Sequence, residues 1–148
     1  MENKESNFYD SIIKFNQIYK LPINTKPTLL GIEQLKRFKS ILYEEIKEVE
    51  EIIQKYELSK TTQTEEERLD ILTAISDWLG DLMVYITSES VKYGLDIKDI
   101  LKIIMQSNFS KLDMGGKPIY DNRGKVMKGP SYWRPELKIK EFLRRQLS

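Results

Sequence analysis

The sequence contains neither cysteine nor histidine, and these two absences narrow the chemistry that it can support. They exclude zinc sites built on thiolate or imidazole ligands, haem held by histidine, cysteine nucleophiles and every catalytic triad that needs histidine. An enzyme of this composition must work with carboxylates, lysine, arginine, tyrosine and serine, together with a hard metal ion. The lack of cysteine also fits a reducing compartment.

Long hydrophobic runs are lacking as well. No apolar run approaches the roughly 20 residues that span a bilayer, and the polar stretch MENKESNFYD has no signal-peptide character. We therefore expect a cytoplasmic protein without a membrane partner. A formal net charge of +1 gives no global field that would attract a nucleic-acid polymer. The 148 residues, of which 40% are hydrophobic, suit one domain over residues 1–148.

The charged residues are unevenly placed along the chain. Residues 1–100 hold 13 basic and 19 acidic side chains, whereas residues 101–148 hold 11 basic and 4 acidic ones. An acidic body with a basic tail suits a metal ion and a polyphosphate, because carboxylates hold the cation while lysine and arginine receive the anion. A tail that complements the acidic body within the fold, or across a dimer, explains the same asymmetry.

Glycine and proline are few, 7 and 5 residues, and they cluster near the C-terminus. Elsewhere apolar residues recur every three or four positions, which predicts helices. The predicted helices cover about residues 8–19, 32–56, 65–93, 97–109 and 136–147, with a break over 59–63. Residues 112–135 are predicted to be a loop-rich basic segment with a small hairpin. We expect an all-α fold, a four- to five-helix bundle with an irregular basic C-terminal tail.

The third predicted helix opens with a capping-box pattern, in which Glu67 follows Thr64 by three residues. Its apolar residues cover most of its circumference, which predicts a buried helix. Trp78 and Tyr85 lie on a different side from Leu79, and one short bundle has too little surface to cover all sides. We therefore expect a homodimer or a larger assembly.

An acidic cluster on the second predicted helix contains Glu44, Glu45 and Glu48. At about 100° per residue, Glu45 and Glu48 share one face at the margin of the apolar stripe. Two carboxylates in that position are costly unless something neutralises them, and a divalent cation would do so. A solvated surface of glutamate and lysine explains the same residues.

Two more acids, Asp77 and Asp81, lie one turn apart on the third predicted helix. Acidic side chains on a buried helix are usually paired or bind a metal ion. Two acids from this helix that face two from its neighbour would supply the oxygen ligands that Mg²⁺ or Mn²⁺ prefers. Neutralisation by lysine or arginine is the alternative.

Two basic stretches follow. Asn108 and Lys111 are three residues apart at the end of the fourth predicted helix, where an amide and an ammonium group can reach a base edge and a phosphate. Lys125 and Lys128 belong to residues 124–135, which combine lysines, glycines and aromatic residues but have neither a Walker A order nor a GxGxxG unit. A favourable lysine at a helix C-terminus and a tail that packs on the bundle are the ordinary explanations.

In chain order these residues form EExxE at 44–48, an acidic pair that ends in Asp81, and NxxK at 108–111. This ordered set resembles the all-α nucleoside triphosphate pyrophosphohydrolases, a superfamily that includes MazG-like enzymes, dimeric dUTPases and phosphoribosyl-ATP pyrophosphohydrolases. The similarity is greatest to the MazG-like branch in which SNFSKL is followed by GKP and a GKVMKGP stretch. It covers about residues 30–135.

The resemblance implies a dimer or tetramer, Mg²⁺ dependence with Mn²⁺ as a substitute, and cleavage of a nucleotide between its α and β phosphates. The expected reaction converts a (d)NTP or related nucleotide to the monophosphate and pyrophosphate, as in house-cleaning of the nucleotide pool. The expected metal ligands are Glu45, Glu48, Asp77 and Asp81. The expected catalytic residues are Glu44, Glu45 and Lys111, and the expected substrate contacts are Asn108, Lys111, Lys125 and Lys128.

The second acidic motif departs from the family pattern. The usual motif is ExxD, but Trp78 stands three residues before Asp81. Asp77, four residues before Asp81, shares its face and can replace the missing glutamate. The departure leaves a second hypothesis open, a non-catalytic protein of the same fold that senses a nucleotide or serves as a helical interaction protein. Phe15 and Trp78 are candidates for stacking on a base.

Overall fold

The computed structural model describes residues 7–61 and 63–148, and its regular structure is helical. The five helices are α1 (Phe8–Ile18), α2 (Ile32–Leu58), α3 (Glu65–Lys92), α4 (Ile97–Phe109) and α5 (Pro135–Leu147). They confirm the predicted all-α class, and no strand forms within the described residues. Residues 1–6, which belong to the stretch without signal-peptide character, lie outside the described residues, as does Thr62 in the predicted break before α3.

Side-chain caps fix where several helices begin. The predicted capping box at α3 is present, because Thr64 Oγ1 accepts the backbone N–H of Glu67 at 3.2 Å and Glu67 Oε2 accepts that of Thr64 at 2.7 Å. Asn7 caps α1 through its side-chain oxygen, and Asp96 caps α4 in the same way. Each cap satisfies a backbone donor that the first helical turn leaves free.

The described chain divides into two compact units. The first unit contains α1, α2 and α3, and α3 packs against both of the others. The second unit contains residues 24–27, α4, the loop-rich segment and α5, and in it α4 packs against α5. The assignment of residues 1–148 to a single domain stays a prediction. Among the described residues, every helix is too short or too polar to cross a membrane.

Buried polar contacts join α1 to α3 in the first unit. Asn16 is fully buried, and its Nδ2 donates to the backbone oxygen of Ser88 at 3.2 Å. Ser88 Oγ donates in return to Asn16 Oδ1 at 2.7 Å. Because both side chains are satisfied, the pair fixes the register of the two helices without leaving a buried polar group unpaired.

Two hydrogen bonds between helices set the register of α2 against α3. Gln34 Nε2 donates to Glu89 Oε1 at 2.9 Å, and Trp78 Nε1 donates to the backbone oxygen of Glu45, also at 2.9 Å. On each helix the two contacts are about eleven residues apart, which is roughly 16 Å at 1.5 Å per residue. The contact that comes first along α2 comes last along α3. The helices therefore run antiparallel in one continuous register, which brings their acidic residues to the same level.

The prediction that α3 is buried around its circumference is wrong for the single chain. Its buried residues are Ile71 and a run at its C-terminal end, Thr87–Val91. Much of the apolar surface on the rest of the helix is exposed, by 51% at Leu79 and 52% at Met83. The physical reason is that α1 and α2, the helices that pack on α3, cover only part of its surface.

The loop-rich segment contains one turn twice, at residues 113–117 and 121–125, a repeat that the sequence analysis did not identify. In each copy the first residue is an aspartate whose Oδ1 accepts the backbone N–H of the third and the fifth residue at 2.9 Å. The fourth residue is a glycine with positive φ, +76° at Gly116 and +78° at Gly124. The predicted hairpin is reduced to a single antiparallel bridge between Tyr120 and Val126.

Candidate metal centre

Three carboxylates from two helices of the first unit converge on one point. Glu45 and Glu48 come from α2 and Asp81 comes from α3, and each offers an oxygen that lies within 4.8 Å of the other two. Glu45 is only 4% exposed, whereas Glu48 and Asp81 are exposed. We call these three residues the acidic triad. It has one buried wall and remains accessible from solvent.

One carboxylate oxygen of the buried member of the acidic triad lacks a hydrogen-bond partner. Glu45 Oε2 is inaccessible to solvent, and no described residue donates to it. Burial raises the pKa of Glu45 above its ordinary value, and repulsion from Glu48 and Asp81 raises it further. A buried carboxylate oxygen without a donor is destabilising. A bound cation would remove both the repulsion and the unsatisfied acceptor.

The spacing of the acidic triad suits a hard divalent cation. Such ions take oxygen ligands at about 2.0–2.6 Å, so two ligands on opposite sides of one ion are roughly 4–5 Å apart. The three oxygens of the triad, all within 4.8 Å of one another, meet this condition. The three carboxylates therefore provide a set of oxygen ligands of the type that Mg²⁺ and Mn²⁺ prefer.

Two of the predicted acids lie outside the triad. Glu44 points to solvent, where its Oε1 is 3.0 Å from Lys47 Nζ. Asp77 is exposed and lines a cavity of about 350 Å³ together with Glu48 and Trp78. Asp77 is still close enough to contribute to the raised pKa of Glu45, although it is the smallest of the named causes.

Tyr85 is a neighbour of the acidic triad that the sequence analysis did not select as a site residue. It lies one helical turn after Asp81 on α3, and burial raises the pKa of its hydroxyl. The negative charges of Glu45, Asp81 and Glu48 raise that pKa further, so the hydroxyl stays protonated and can donate. Tyr85 could have been identified from the sequence, because residues four apart on a helix share a face and Tyr85 follows Asp81 by four.

An aromatic cavity of about 380 Å³ also uses Tyr85 as part of its wall. Phe15 and Tyr19 of the α1 region line it as well, and their ring centroids are 4.5 Å apart. Its remaining lining residues are Leu21, Ile41, Val84, Ser88 and Lys92. The volume falls in the range of roughly 300–1,000 Å³ that is typical of small-molecule pockets. Tyr85 thus belongs both to this cavity and to the surroundings of the triad.

The predicted substrate contacts belong to the second unit. At the end of α4, Lys111 Nζ donates to Asn108 Oδ1 at 2.9 Å, so these two predicted residues meet each other. Lys125 and Lys128 are exposed on the loop-rich segment. Lys128 Nζ lies 4.9 Å from the centre of the Tyr132 ring, a cation–π distance.

Among the comparisons with protein families, curated proteins and solved structures, the solved structures give matches. No protein-family model matches the sequence, and a search of curated proteins finds no significant match. Among solved structures, the chain is similar to a protein from Exiguobacterium sp. 255-15 that is named "putative NTP pyrophosphohydrolase". The sequences are 24% identical, the alignment covers 97% of this chain and 98% of that chain, and the TM-score is 0.47.

Proposed function

We propose that this protein is a Mg²⁺-dependent nucleotide pyrophosphohydrolase that converts a (d)NTP or a related nucleotide to the monophosphate and pyrophosphate. Removal of unwanted nucleotides from the cellular pool is the role we favour. The observation that supports the proposal most strongly is the acidic triad, in which a buried Glu45 oxygen has no partner while Glu48 and Asp81 lie beside it. The ordered EExxE, Asp and NxxK residues connect this triad to nucleotide chemistry.

The acidic triad is the proposed metal site, and its residues fit a hard cation for the reasons given above. When bound, Mg²⁺ would neutralise charge on phosphate oxygens and lower the pKa of water. Asp77 lies outside the triad and next to Glu48 in the adjoining cavity, so we retain it as a more distant ligand of the same centre. Mn²⁺ would substitute for Mg²⁺, because both ions prefer oxygen ligands.

Glu45 is the better candidate for proton transfer among the two glutamates considered. Its carboxylate is buried within the acidic triad, so it lies at the proposed metal site, where the attacking water would be held. Glu44 faces solvent and contacts Lys47. We therefore propose that Glu45 orients or deprotonates the attacking water and that Glu44 acts through the surface charge near the site.

Lys111 is proposed to stabilise the departing pyrophosphate. Its ammonium group already contacts the Asn108 side-chain oxygen, a neutral acceptor that orients it and leaves its positive charge intact. A positive charge that meets developing negative charge lowers the barrier of the reaction. Asn108, Lys125 and Lys128 are proposed as further substrate contacts.

The aromatic cavity beside Tyr85 is the proposed place for the base. Phe15, which the sequence analysis named as a stacking candidate, lines this cavity, whereas Trp78 lines the cavity next to Glu48. Stacking on an aromatic ring tolerates many bases, because every base has a π face. We therefore favour Phe15 over Trp78 for this contact.

We further propose that the protein is a homodimer or homotetramer. The exposed apolar side chains along α3, with Leu72 at 58% and Met83 at 52%, would be covered by another copy. Sedimentation at micromolar concentration should give a species of at least twice the 17.5 kDa chain mass. A clean monomer under these conditions would contradict the proposal.

The proposed reaction is tested by pyrophosphate release from a panel of ordinary and modified (d)NTPs in the presence of Mg²⁺. We expect release with at least one member of the panel and its loss in Glu48→Gln. Glu50→Gln is the matched control, because Glu50 is an exposed acid on the same helix outside the triad. Equal loss in both variants, or no release from any nucleotide by the parent protein, would argue against the proposed reaction.

A nucleotide-sensing or helical interaction protein of the same fold is the alternative. The observation that favours it is Trp78, which places an indole where the family pattern has a carboxylate. Under this alternative the parent protein would bind nucleotide and Mg²⁺ but release no pyrophosphate. Equilibrium binding of the same nucleotides, measured beside the turnover assay, separates the two functions.

A further inference from the structure

Trp78 joins the two helices that carry the acidic triad. Its indole Nε1 donates to the backbone oxygen of Glu45 at 2.9 Å, across the α2–α3 contact. Trp78 is half-buried, so solvent competes only in part for this hydrogen bond. The acceptor belongs to the same residue whose carboxylate oxygen Oε2 is buried without a partner.

This hydrogen bond couples the backbone positions of the triad residues. Trp78 precedes Asp81 by three residues on α3, and Glu45 supplies the acceptor on α2, so the bond fixes Glu45 against Asp81. Glu45 and Glu48 on α2 and Asp81 on α3 each offer an oxygen within 4.8 Å of the other two, so like charges face and repel each other across the α2–α3 contact when no cation is present. A bond between the helices at this level opposes that repulsion.

An indole suits the task because it is a donor only. It cannot bind a hard cation through an oxygen, and it adds no charge to a cluster that already repels itself. The Glu45 carbonyl has a second lone pair, which can accept the indole N–H in addition to its bond within the helix. The ligand set therefore stays with the carboxylates while their spacing is held by a neutral group.

We propose that Trp78 is a positioning residue for the metal centre, whose indole N–H holds the Glu45 backbone at the distance from Asp81 at which the acidic triad shares one cation. This inference rests on the metal site of the proposed function. It explains what Trp78 does in place of the glutamate of the ExxD pattern, since the indole positions the metal ligands without being one of them.

Two substitutions separate the hydrogen bond from the packing of the ring. Trp78→Phe keeps an aromatic ring and loses the donor. Trp78→Gln loses the ring but keeps an N–H donor, because the glutamine Nε2 is as many bonds from Cα as the indole Nε1. Mn²⁺ affinity of each variant is measured from the electron paramagnetic resonance signal of free Mn²⁺, and thermal stability is measured without metal.

We expect Trp78→Phe to weaken Mn²⁺ binding about threefold to tenfold, the range for one net hydrogen bond. Trp78→Gln should bind Mn²⁺ more tightly than Trp78→Phe while melting at a lower temperature, because it loses the larger buried surface. The two measurements then rank the variants in opposite order. If Trp78 acted only through the packing of its ring, the less stable variant would also bind Mn²⁺ more weakly. If Trp78→Gln binds as weakly as Trp78→Phe or more weakly, the role of the indole bond is wrong.

The indole proton gives a direct spectroscopic test. In a Trp133→Phe background the one remaining tryptophan is Trp78, and its indole N–H resonance should shift on Mg²⁺ addition with the midpoint of metal binding. An unchanged resonance would overturn the positioning role. If Glu48→Gln abolishes Mn²⁺ binding but Trp78→Phe binds like the parent, the metal site stands and this inference fails. If the parent binds no Mn²⁺, both the metal site and this inference fail.

Discussion

The acidic triad of the first unit and three lysines of the second unit differ in how their charges are satisfied. In the first unit, Glu45, Glu48 and Asp81 lie together, and no ion pair within the described residues neutralises them. In the second unit, Lys111 contacts a neutral amide, and Lys128 and Lys138 lie over aromatic rings. The negative charges of the acidic triad repel one another, whereas Lys111, Lys128 and Lys138 are held by neutral partners.

This difference indicates what each region needs from a ligand. The acidic triad gains stability when a cation arrives, because repulsion and an unsatisfied oxygen disappear together. The lysines gain little internal stability from their neutral partners but keep their full positive charge, which remains available to an anion. A cation would satisfy the acidic triad, and each of these lysines can attract an anion. Substitutions in one region should therefore have effects that the other region does not reproduce.

The largest expected effect comes from breaking the acidic side. Asp81→Asn removes one charged ligand of the triad, so we expect Mg²⁺ binding and pyrophosphate release to fall below detection together. Asp70→Asn is the matched control, an exposed aspartate on α3 outside the triad. Isothermal titration with Mg²⁺ and the turnover assay are run on both variants. Turnover in Asp81→Asn at the parent rate would remove Asp81 from the metal site.

The next effect comes from breaking the basic side. Lys111→Ala should reduce kcat/KM roughly tenfold to a thousandfold, as expected when one charge-stabilising donor is lost. Its Mg²⁺ affinity without nucleotide should stay near that of the parent, the reverse of the order expected for Asp81→Asn. Lys102→Ala serves as the control, because Lys102 is an exposed lysine on α4 in the same unit. Normal turnover by Lys111→Ala would mean that another group holds the leaving pyrophosphate.

A smaller effect is expected on the melting temperature of the protein, which should depend on Mg²⁺ and on pH. Saturating Mg²⁺ should raise the Tm by roughly 5–10 °C at neutral pH, since it binds only the folded protein. In the folded state the pKa of Glu45 lies above its ordinary 4.5. Between pH 4.5 and that raised pKa, the folded state therefore binds more protons than the unfolded state. Without metal, this group's contribution to stability is present at low pH and is lost as the pH rises through its folded pKa.

The Mg²⁺-induced rise in Tm should follow the opposite trend, because the cation needs the deprotonated carboxylate. It should grow as the pH rises above 4.5, while the metal-free protein loses the Glu45 contribution. Glu45→Gln should show a weaker pH dependence and a smaller Mg²⁺ effect, which differential scanning fluorimetry can measure across the pH range. A Mg²⁺ effect that is independent of pH would place the ion away from Glu45.

The helices could be predicted from sequence to within about two residues at the ends. The three- to four-residue spacing of apolar side chains and the capping residues suffice to predict the helix ends, because both are local properties of the chain. The capping box at Thr64 is an example. The pairing of Glu45 and Glu48 on one face also follows from helical geometry alone. Their approach to Asp81 needed a contact between helices, which the acidic residues suggested but did not specify.

Other features depend on tertiary structure and had no local signal. Glu44 and Glu45 are neighbours in sequence, but one turns to solvent and the other is buried, because α3 covers only one face of α2. The hydrogen bond of Trp78 depends on the register of two antiparallel helices. The sequence analysis expected that one short bundle would leave part of α3 uncovered, but the apolar pattern does not state which residues α1 and α2 leave exposed.

The most direct test of the central claim is the pattern of NMR line broadening caused by substoichiometric Mn²⁺. The chain has no histidine or cysteine to compete for the ion, so broadening should centre on the amides of Glu45, Glu48 and Asp81. It should vanish in Asp81→Asn and persist in Asp70→Asn. Broadening spread evenly over the acidic surface, or centred on residues outside the triad, would contradict the metal centre on which the proposed reaction depends.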